Sequence, residues 1–354
     1  MGLPLYSFGG VSLSGFVPPP VSPQMNALLA LLGKPRNRSE WEDRFATWQK
    51  PASDTEEERI TATANRVSRA MRHSHDLPQR SWMIVRQGSH HNKTNTRAES
   101  DIDLCMCLTD AFFVDGPQND WPTNTELGRV PIPFTFEQYR NHIAWCLQQE
   151  FGTAAVTIGK KAIHLHKNDA DKIDADVVPA YVLQRYGPRV APFWQRGVPE
   201  HGVAFLTSEN RLTTNFPEQH YANGVAKNNR TGRRYKNVVR ILKRMRNHIA
   251  DNAEAPTAAR NRARDTASFL IESLVYNCPD NLFGHSVIYD DVTAVLRYLS
   301  AGLNDRQSGN ALISFLRLTW MEVNGLKGLF APGQAWSDTD AAEFVNVALA
   351  YMAV

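Results

Sequence analysis

Apolar positions along the chain change their period twice, from helical to strand-like and back. Ile60, Ala64, Val67 and Met71 recur at spacings of three and four behind Ser53 and Glu56, which form a capping box, and predict an amphipathic helix over about 54–74. From residue 82 the apolar runs shorten to strand length, at 82–85, 101–108, 154–158, 162–166 and 173–178. One helix over about 136–150, with Thr135 and Gln138 at its start, interrupts them. After Pro217 only helical spacing remains, predicting helices over 232–250, 260–276, 286–301, 307–319 and 339–352. Ahead of all these, residues 1–24 carry Gly9-Gly10, Pro18-Pro19-Pro20 and Pro23, which fit neither a helix nor a central strand. A short apolar helix over 25–32 and a polar, tryptophan-containing stretch to Pro51 follow. Strands followed by helices predict an α+β fold: an arm at 1–24, a lobe at 25–205 with a long N-terminal helix and a mixed sheet, and a helical lobe at 206–354.

A length of 354 residues is enough for two such lobes, each with its own core. Thirty-nine Lys and Arg against thirty-six Asp and Glu leave a net charge of +3, too small for a bulk nucleic-acid or membrane binder. No apolar run approaches the ~18–20 residues of a membrane span, and the N-terminus lacks a basic segment followed by an apolar one, so a cytoplasmic protein is expected. The four cysteines make no disulfide framework; Cys105-Met106-Cys107 lies on a predicted strand without a second pair at zinc-ribbon spacing, and reads as buried thiols.

Chemistry concentrates in Gln87-Gly88-Ser89 and, after eleven intervening residues, Asp101-Ile102-Asp103-Leu104. Two carboxylates one residue apart on a strand share a face, a costly arrangement unless divalent cations neutralise it. A third acid on a neighbouring strand would complete the site, and Asp176, just before Val177-Val178-Pro179, is chosen over Asp174. Three carboxylates holding two Mg²⁺ ions ~3.5–4 Å apart form a clamp for displacement at phosphorus, so the reaction class is phosphoryl or nucleotidyl transfer. Gly88 lets backbone approach a phosphate, and Ser89 adds a hydroxyl. The bland alternative is a turn beside a solvated strand edge.

The helix near 232–250 has an apolar stripe of Tyr235, Val238, Leu242, Met245 and Ile249. Lys236, Arg240, Lys243 and Asn247 repeat the spacing on another face, which is either solvated or brings Arg240 or Lys243 to a triphosphate. His90-His91 follow the Gly-Ser turn and cannot chelate from one strand face, while His164 and His166 share a face without a third ligand. His220 falls in a loop-like segment with a structural or an acceptor-side part.

With these residues the chain resembles the bacterial CD-NTases, the cGAS/DncV-like nucleotidyltransferases of the polymerase-β-like superfamily. The resemblance extends to the segment opening at Ser53, to Thr94 and Thr96, to Asp176-Val177-Val178-Pro179-Ala180, and to Asn215-Phe216-Pro217-Glu218-Gln219-His220 with Asn223-Gly224. It continues through the helix from Lys236 to Asn247, through Ala267-Ser268-Phe269-Leu270-Ile271-Glu272, and from Leu329 to Ala342.

The resemblance implies that Asp101 and Asp103 bind both Mg²⁺ ions, with Mn²⁺ able to substitute, and that Asp176 binds the ion activating the attacking ribose hydroxyl. Gln87, Gly88 and Ser89 would hold the donor triphosphate. Lys243 would meet the phosphates, with Arg240 on the same basic face, Ser268 would follow it, and Phe269 would stack on a base. Such enzymes join two or three nucleoside triphosphates, here ATP, GTP or both, release pyrophosphate and close the product into a ring. The implied setting is bacterial anti-phage (CBASS) signalling, with a separate effector protein reading the product, regulatory partner proteins, and no membrane. The animal homologue's zinc-binding insertion is absent, so DNA activation is not expected. The alternatives are a non-cyclising nucleotidyltransferase acting on RNA or a small molecule, and a non-catalytic nucleotide sensor. The active site is expected in the cleft between the lobes, which divide at about residue 205.

Overall fold

The computed structural model describes residues 37–51, 54–74, 81–96, 102–115, 133–166, 174–187, 199–304 and 319–352, with backbone alone at 54–57. The expected arm, the helix over 25–32, Ser53 of the capping box, and all but the last residue of the helix over 307–319 lie outside the described residues.

The polar stretch before Pro51 contains a helix, α1 (Arg38–Trp48), which the sequence pattern did not reveal. Asn37 caps it by accepting from the Glu40 amide at 2.9 Å, and only Trp41 and Phe45, one turn apart, are buried. Two apolar contacts among charged residues are too few for a readable stripe. Both join the core of the helical lobe, not that of the sheet lobe to which their position assigned them. The Glu42 carboxylate accepts from the Ile288 and Tyr289 amides at 3.0 and 2.8 Å, covering orphan donors at the start of a later helix. Helix α2 (Asp54–Ala70) then runs into a 3₁₀ turn (Met71–His73).

The strands β1 (Trp82–Gln87), β2 (Ile102–Asp115), β3 (Val156–Ile158), β4 (Ile163–Leu165), β5 (Ala175–Arg185), β6 (Glu200–Leu206) and β7 (Leu212–Asn215) form one sheet. Its path is β1-β2-β5-β4-β3, with β6 also on β5 and β7 on β6; β2 and β5 are parallel and the other pairs antiparallel. A short helix, α3 (Gly88–His91), leaves β1, and α4 (Phe136–Phe151) carries the capping box of Thr135 and Gln138. Strand β5 does not stop at Pro179. On its second edge β4 covers Ala175 to Val177 and β6 covers Tyr181 to Arg185, so a residue with no N–H falls in the gap between them. The sheet ends at Asn215, beyond the expected division at about 205.

The remaining helices are α5 (Pro217–Arg230), α6 (Arg234–Asp251), α7 (Thr257–Asp265), α8 (Ser268–Tyr276), α9 (Ile288–Asn304) and α10 (Asp338–Met352). The pattern over 260–276 read as one helix, but Thr266 and Ala267 are extended and break it in two. One core packs α2 and α4 on one sheet face, a second fills the helical lobe, and a smaller one lies on the opposite sheet face. All four cysteines are buried thiols. Among the described residues no helix is long and apolar enough to cross a membrane.

Candidate active site

Strands β2 and β5 begin side by side, and Asp103 and Asp176 are direct partners in their register. Partners on neighbouring strands point to one face, with backbones about 4.8 Å apart. Alternation decides which face. Ile102, Leu104, Ala175 and Val177 pack under α2 and α4, so the aspartates point the other way, where Cys105 and Val178 continue their rows into the smaller core. Both aspartates line a cleft of about 530 Å³.

Opposite Asp103, β1 ends at Gln87, and Gly88 turns with φ of +72° into α3. A Cβ at residue 88 would lie 1.8 Å from Asp103 Oδ2. Glycine is thus required twice, for the left-handed backbone and for the room the carboxylate takes. Gln87, Gly88, Ser89 and Asn92 form this wall of the cleft.

The facing wall comes from the helical lobe, as Lys243 and Arg246 of α6 and Ser268, Phe269 and Glu272 of α8. Arg246 Nη1 donates to the Thr266 carbonyl and to Ser268 Oγ, both at 2.9 Å, so the break between α7 and α8 is tied to the cleft-facing side of α6. The Phe269 ring lies 5.3 Å from His220 and 5.8 Å from Trp336, which fix it at the cleft margin. Asn215, Phe216 and Pro217 at the end of the sheet, with His220 of α5, Glu322 and Asn324, complete the lining.

Glu272 is a buried charge in the site, at 3 % exposure. Its Oε2 accepts from Thr94 Oγ1 at 2.8 Å and lies 3.6 Å from Lys243 Nζ, and its Oε1 accepts from His220 Nε2 at 2.9 Å. Burial disfavours its ionised form, but His220 and Lys243, with the hydrogen bonds from His220 and Thr94, outweigh that and hold Glu272 down at about 2. Thr94 follows α3 in the sheet lobe, so this carboxylate joins the two walls. His220 is therefore a buried partner of Glu272 on α5, not a loop residue, and it also lines the cleft, so the structural and the acceptor-side parts both stay open to it.

Of the residues singled out in the sequence, Gln87, Gly88, Ser89, Asp103, Asp176, His220, Lys243, Ser268 and Phe269 line this one cleft. Asp101 lies outside the described residues. Arg240 is not among the lining residues. Its guanidinium donates to the Gln49 and Lys93 carbonyls and to Asn237 Oδ1, each at 2.6 Å. Three residues before Lys243 on a helix is a rotation of about 60°, enough to turn Arg240 towards the chain after α1, and sequence spacing does not resolve that difference. The basic face is neither solvated nor wholly in the cleft: Lys236, Arg240 and Lys243 are all buried. Arg246 and Glu272 were missed. Arg246 follows Lys243 by three positions, and Glu272 is a lone acid in an apolar helix, so both carried a signal.

His164 and His166 do not converge, because His166 Nε2 pairs with Thr157 Oγ1 at 2.9 Å and His164 Nδ1 with Asp176 at 2.5 Å. Among the described residues no three His, Cys, Asp or Glu side chains cluster as a metal site. Asp103 and Asp176 nevertheless suit Mg²⁺. They put hard oxygens side by side on one face, with one carboxylate held against the Gly88 backbone and no sulfur donor among the cleft-lining residues.

Paired strand carboxylates facing a lysine and an arginine across a cleft are suited to a polyphosphate with its cation, which is the task of a nucleotidyl-transferring enzyme. The family model for the cGAS/DncV-like nucleotidyltransferase C-terminal helical domain matches residues 222–353. The chain is 33 % identical over 322 residues to the cyclic dipyrimidine nucleotide synthase CdnE of Legionella pneumophila, covering 88 % of this chain and 98 % of that one. It is 30 % identical over 313 residues to the cyclic dipurine nucleotide synthase of Elizabethkingia meningoseptica, with the same coverage. The structure of Elizabethkingia meningoseptica CdnE cyclic dinucleotide synthase with GTP and Apcpp superposes with a TM-score of 0.68 at 27 % identity, over 88 % of this chain and 99 % of that one. The chain belongs to the CD-NTase family, the cGAS/DncV-like nucleotidyltransferases, and is an enzyme of that class.

Proposed function

We propose that the protein is a Mg²⁺-dependent synthase that joins two or three nucleoside triphosphates into a cyclic oligonucleotide, releasing pyrophosphate at each bond. The observation that carries this reading is the Asp103–Asp176 pair facing Lys243 across one cleft, in a chain alignable over nearly the full length of two cyclic nucleotide synthases. Asp103, Asp176 and the sequence-assigned Asp101 would hold the metal, with Mn²⁺ able to substitute. Bound there, it supplies charge neutralisation and a more acidic attacking hydroxyl.

The chain's own residues do the rest. Gly88 and Ser89 admit and anchor the donor phosphates. Lys243 and Arg246 offset their charge from the opposite wall, Ser268 adds a hydroxyl, and Phe269 offers a ring to a base. The sheet lobe thus carries the acids, the helical lobe from residue 217 the cations and the stacking ring, and substrate bridges them. The setting we infer is bacterial anti-phage signalling in the cytoplasm, with a separate effector reading the product. The nucleotides are ATP, GTP or both in the sequence reading. The two relatives are named for dipyrimidine and dipurine products, so all four ribonucleotides belong in the assay.

The test is incubation of pure protein with labelled ribonucleotides and Mg²⁺ or Mn²⁺, followed by phosphatase. Label that survives phosphatase and is released by a phosphodiesterase is the expected result. Label recovered wholly as nucleoside and phosphate with every nucleotide combination contradicts it, and label attached to added RNA points to the non-cyclising alternative.

A further inference from the structure

Asp176 has a second cross-strand neighbour. In the antiparallel β4–β5 pair it faces His164, and His164 Nδ1 donates to Asp176 Oδ1 at 2.5 Å. The other ring edge lies over the turn between β3 and β4: a Cβ built on Gly159 would come within 2.3 Å of His164 Nε2 and 2.7 Å of its Cδ2. The Gly159 backbone is not left-handed, so the glycine is explained by the room the ring takes and not by a turn conformation. The turn itself is fixed: the Gly159 amide donates to the Ala162 carbonyl at 2.9 Å, and Arg140 of α4 donates to the Gly159 carbonyl. His164 does not line the cleft, and its Nε2 is turned to Gly159, so it cannot take a proton from a substrate there.

We propose that His164, seated on Gly159, is a positioning residue for Asp176. It holds one carboxylate oxygen so that the other is presented to the cleft beside Asp103. Carboxylates that ligate metals are oriented by such outer partners, whose loss costs about 10–100-fold in metal affinity or activity. An Asp176 left to rotate would keep its charge and lose its aim. The inference rests on the reading of Asp176 as a metal-holding carboxylate.

Three variants and one double variant test it. H164L removes the donor; H164N keeps an N–H close to the position of Nδ1; G159A leaves His164 intact and removes its seat. With H164L, kcat should fall about 10–100-fold with KM for nucleotide little changed, and calorimetric Mn²⁺ binding in the presence of a non-hydrolysable triphosphate should weaken by about tenfold. H164N should recover most of both. G159A should reproduce the H164L defect, and G159A/H164L should be no worse than H164L alone, because the two act through one contact. Wild-type kcat and Mn²⁺ binding in H164L, an H164N as impaired as H164L, or additive losses in the double variant would overturn the proposal. D176N separates the two levels. If it retains synthesis, the reading of Asp176 fails; if it is inactive while H164L is unimpaired, only the role of His164 fails.

Discussion

Glu272 offers the most quantitative test of how the cleft is held together. E272Q keeps its shape and removes its charge from a site at 3 % exposure, where Thr94, His220 and Lys243 converge from three other segments of the chain. The carboxylate lies at about 2 instead of the ordinary 4.5. At about 1.4 kcal/mol per pH unit, that difference is worth about 3 kcal/mol of folding stability. A carboxylate whose folded value is depressed contributes fully above its unfolded value. The contribution is therefore intact at pH 7 and lost as pH falls from about 4.5 through about 2. The variant also leaves Lys243, at 1 % exposure, without its counter-charge, and breaking a buried pair from one side costs about 3–5 kcal/mol. Denaturant titration of wild type and E272Q should show E272Q weaker by about 3 kcal/mol at pH 7, with a melting midpoint lower by about 5 °C. The gap should close as both are titrated below pH 4.5. Equal stability at pH 7, or a gap unchanged at pH 3, would refute the argument that Glu272 is an ionised staple between the lobes.

Other consequences follow from single contacts. G88A should cut activity by at least about 100-fold, measured as product formed per folded protein, because its Cβ displaces the Asp103 carboxylate. R240M should lower stability by about 1–3 kcal/mol, through the part-buried Gln49 and Lys93 carbonyls that lose their donor, while KM for nucleotide stays within about twofold of wild type. K243M should raise that KM by about tenfold or more, and kinetics on the pair separate the two basic residues. F45A should cost about 3–5 kcal/mol by thermal or denaturant unfolding, since the side chain is wholly buried in the core of the helical lobe.

Periodicity made much of this architecture readable. The apolar stripe of α6, the capping box at Thr135, and the strands carrying Asp103 and Asp176 all follow from spacing. What it hid has particular causes. Strand β6 carries Gly202, which reads as a breaker, yet a Cβ there would meet the Asn215 carbonyl at 2.5 Å and the Phe216 ring at 2.8 Å, so the glycine serves the approach of β7 and the residue after it. Pro217, read as the end of the strands, is also the first residue of α5, where a missing N–H costs nothing. Gly224 lies within that helix and blurred it further. The apolar spacing across 260–276 is continuous in sequence, whereas the extended Thr266 and Ala267 are what bring Ser268 and Phe269 to the cleft at the start of a new helix. The walls were therefore legible one by one. The contacts that join them, Thr94 with Glu272 and Arg240 with Gln49 and Lys93, pair residues far apart along the chain and leave no periodic trace.

The central claim is that one cleft both joins nucleotides and closes the ring, and the stoichiometry of pyrophosphate reads this directly. Closing a ring makes as many phosphodiester bonds as there are nucleotides, so one pyrophosphate should appear for each triphosphate consumed. The product mass should equal that of a ring of nucleoside monophosphates, and D103N should abolish both signals. One pyrophosphate for every two triphosphates, with a product that keeps its terminal triphosphate, would contradict cyclisation, and undiminished synthesis by D103N would contradict the assignment of the site.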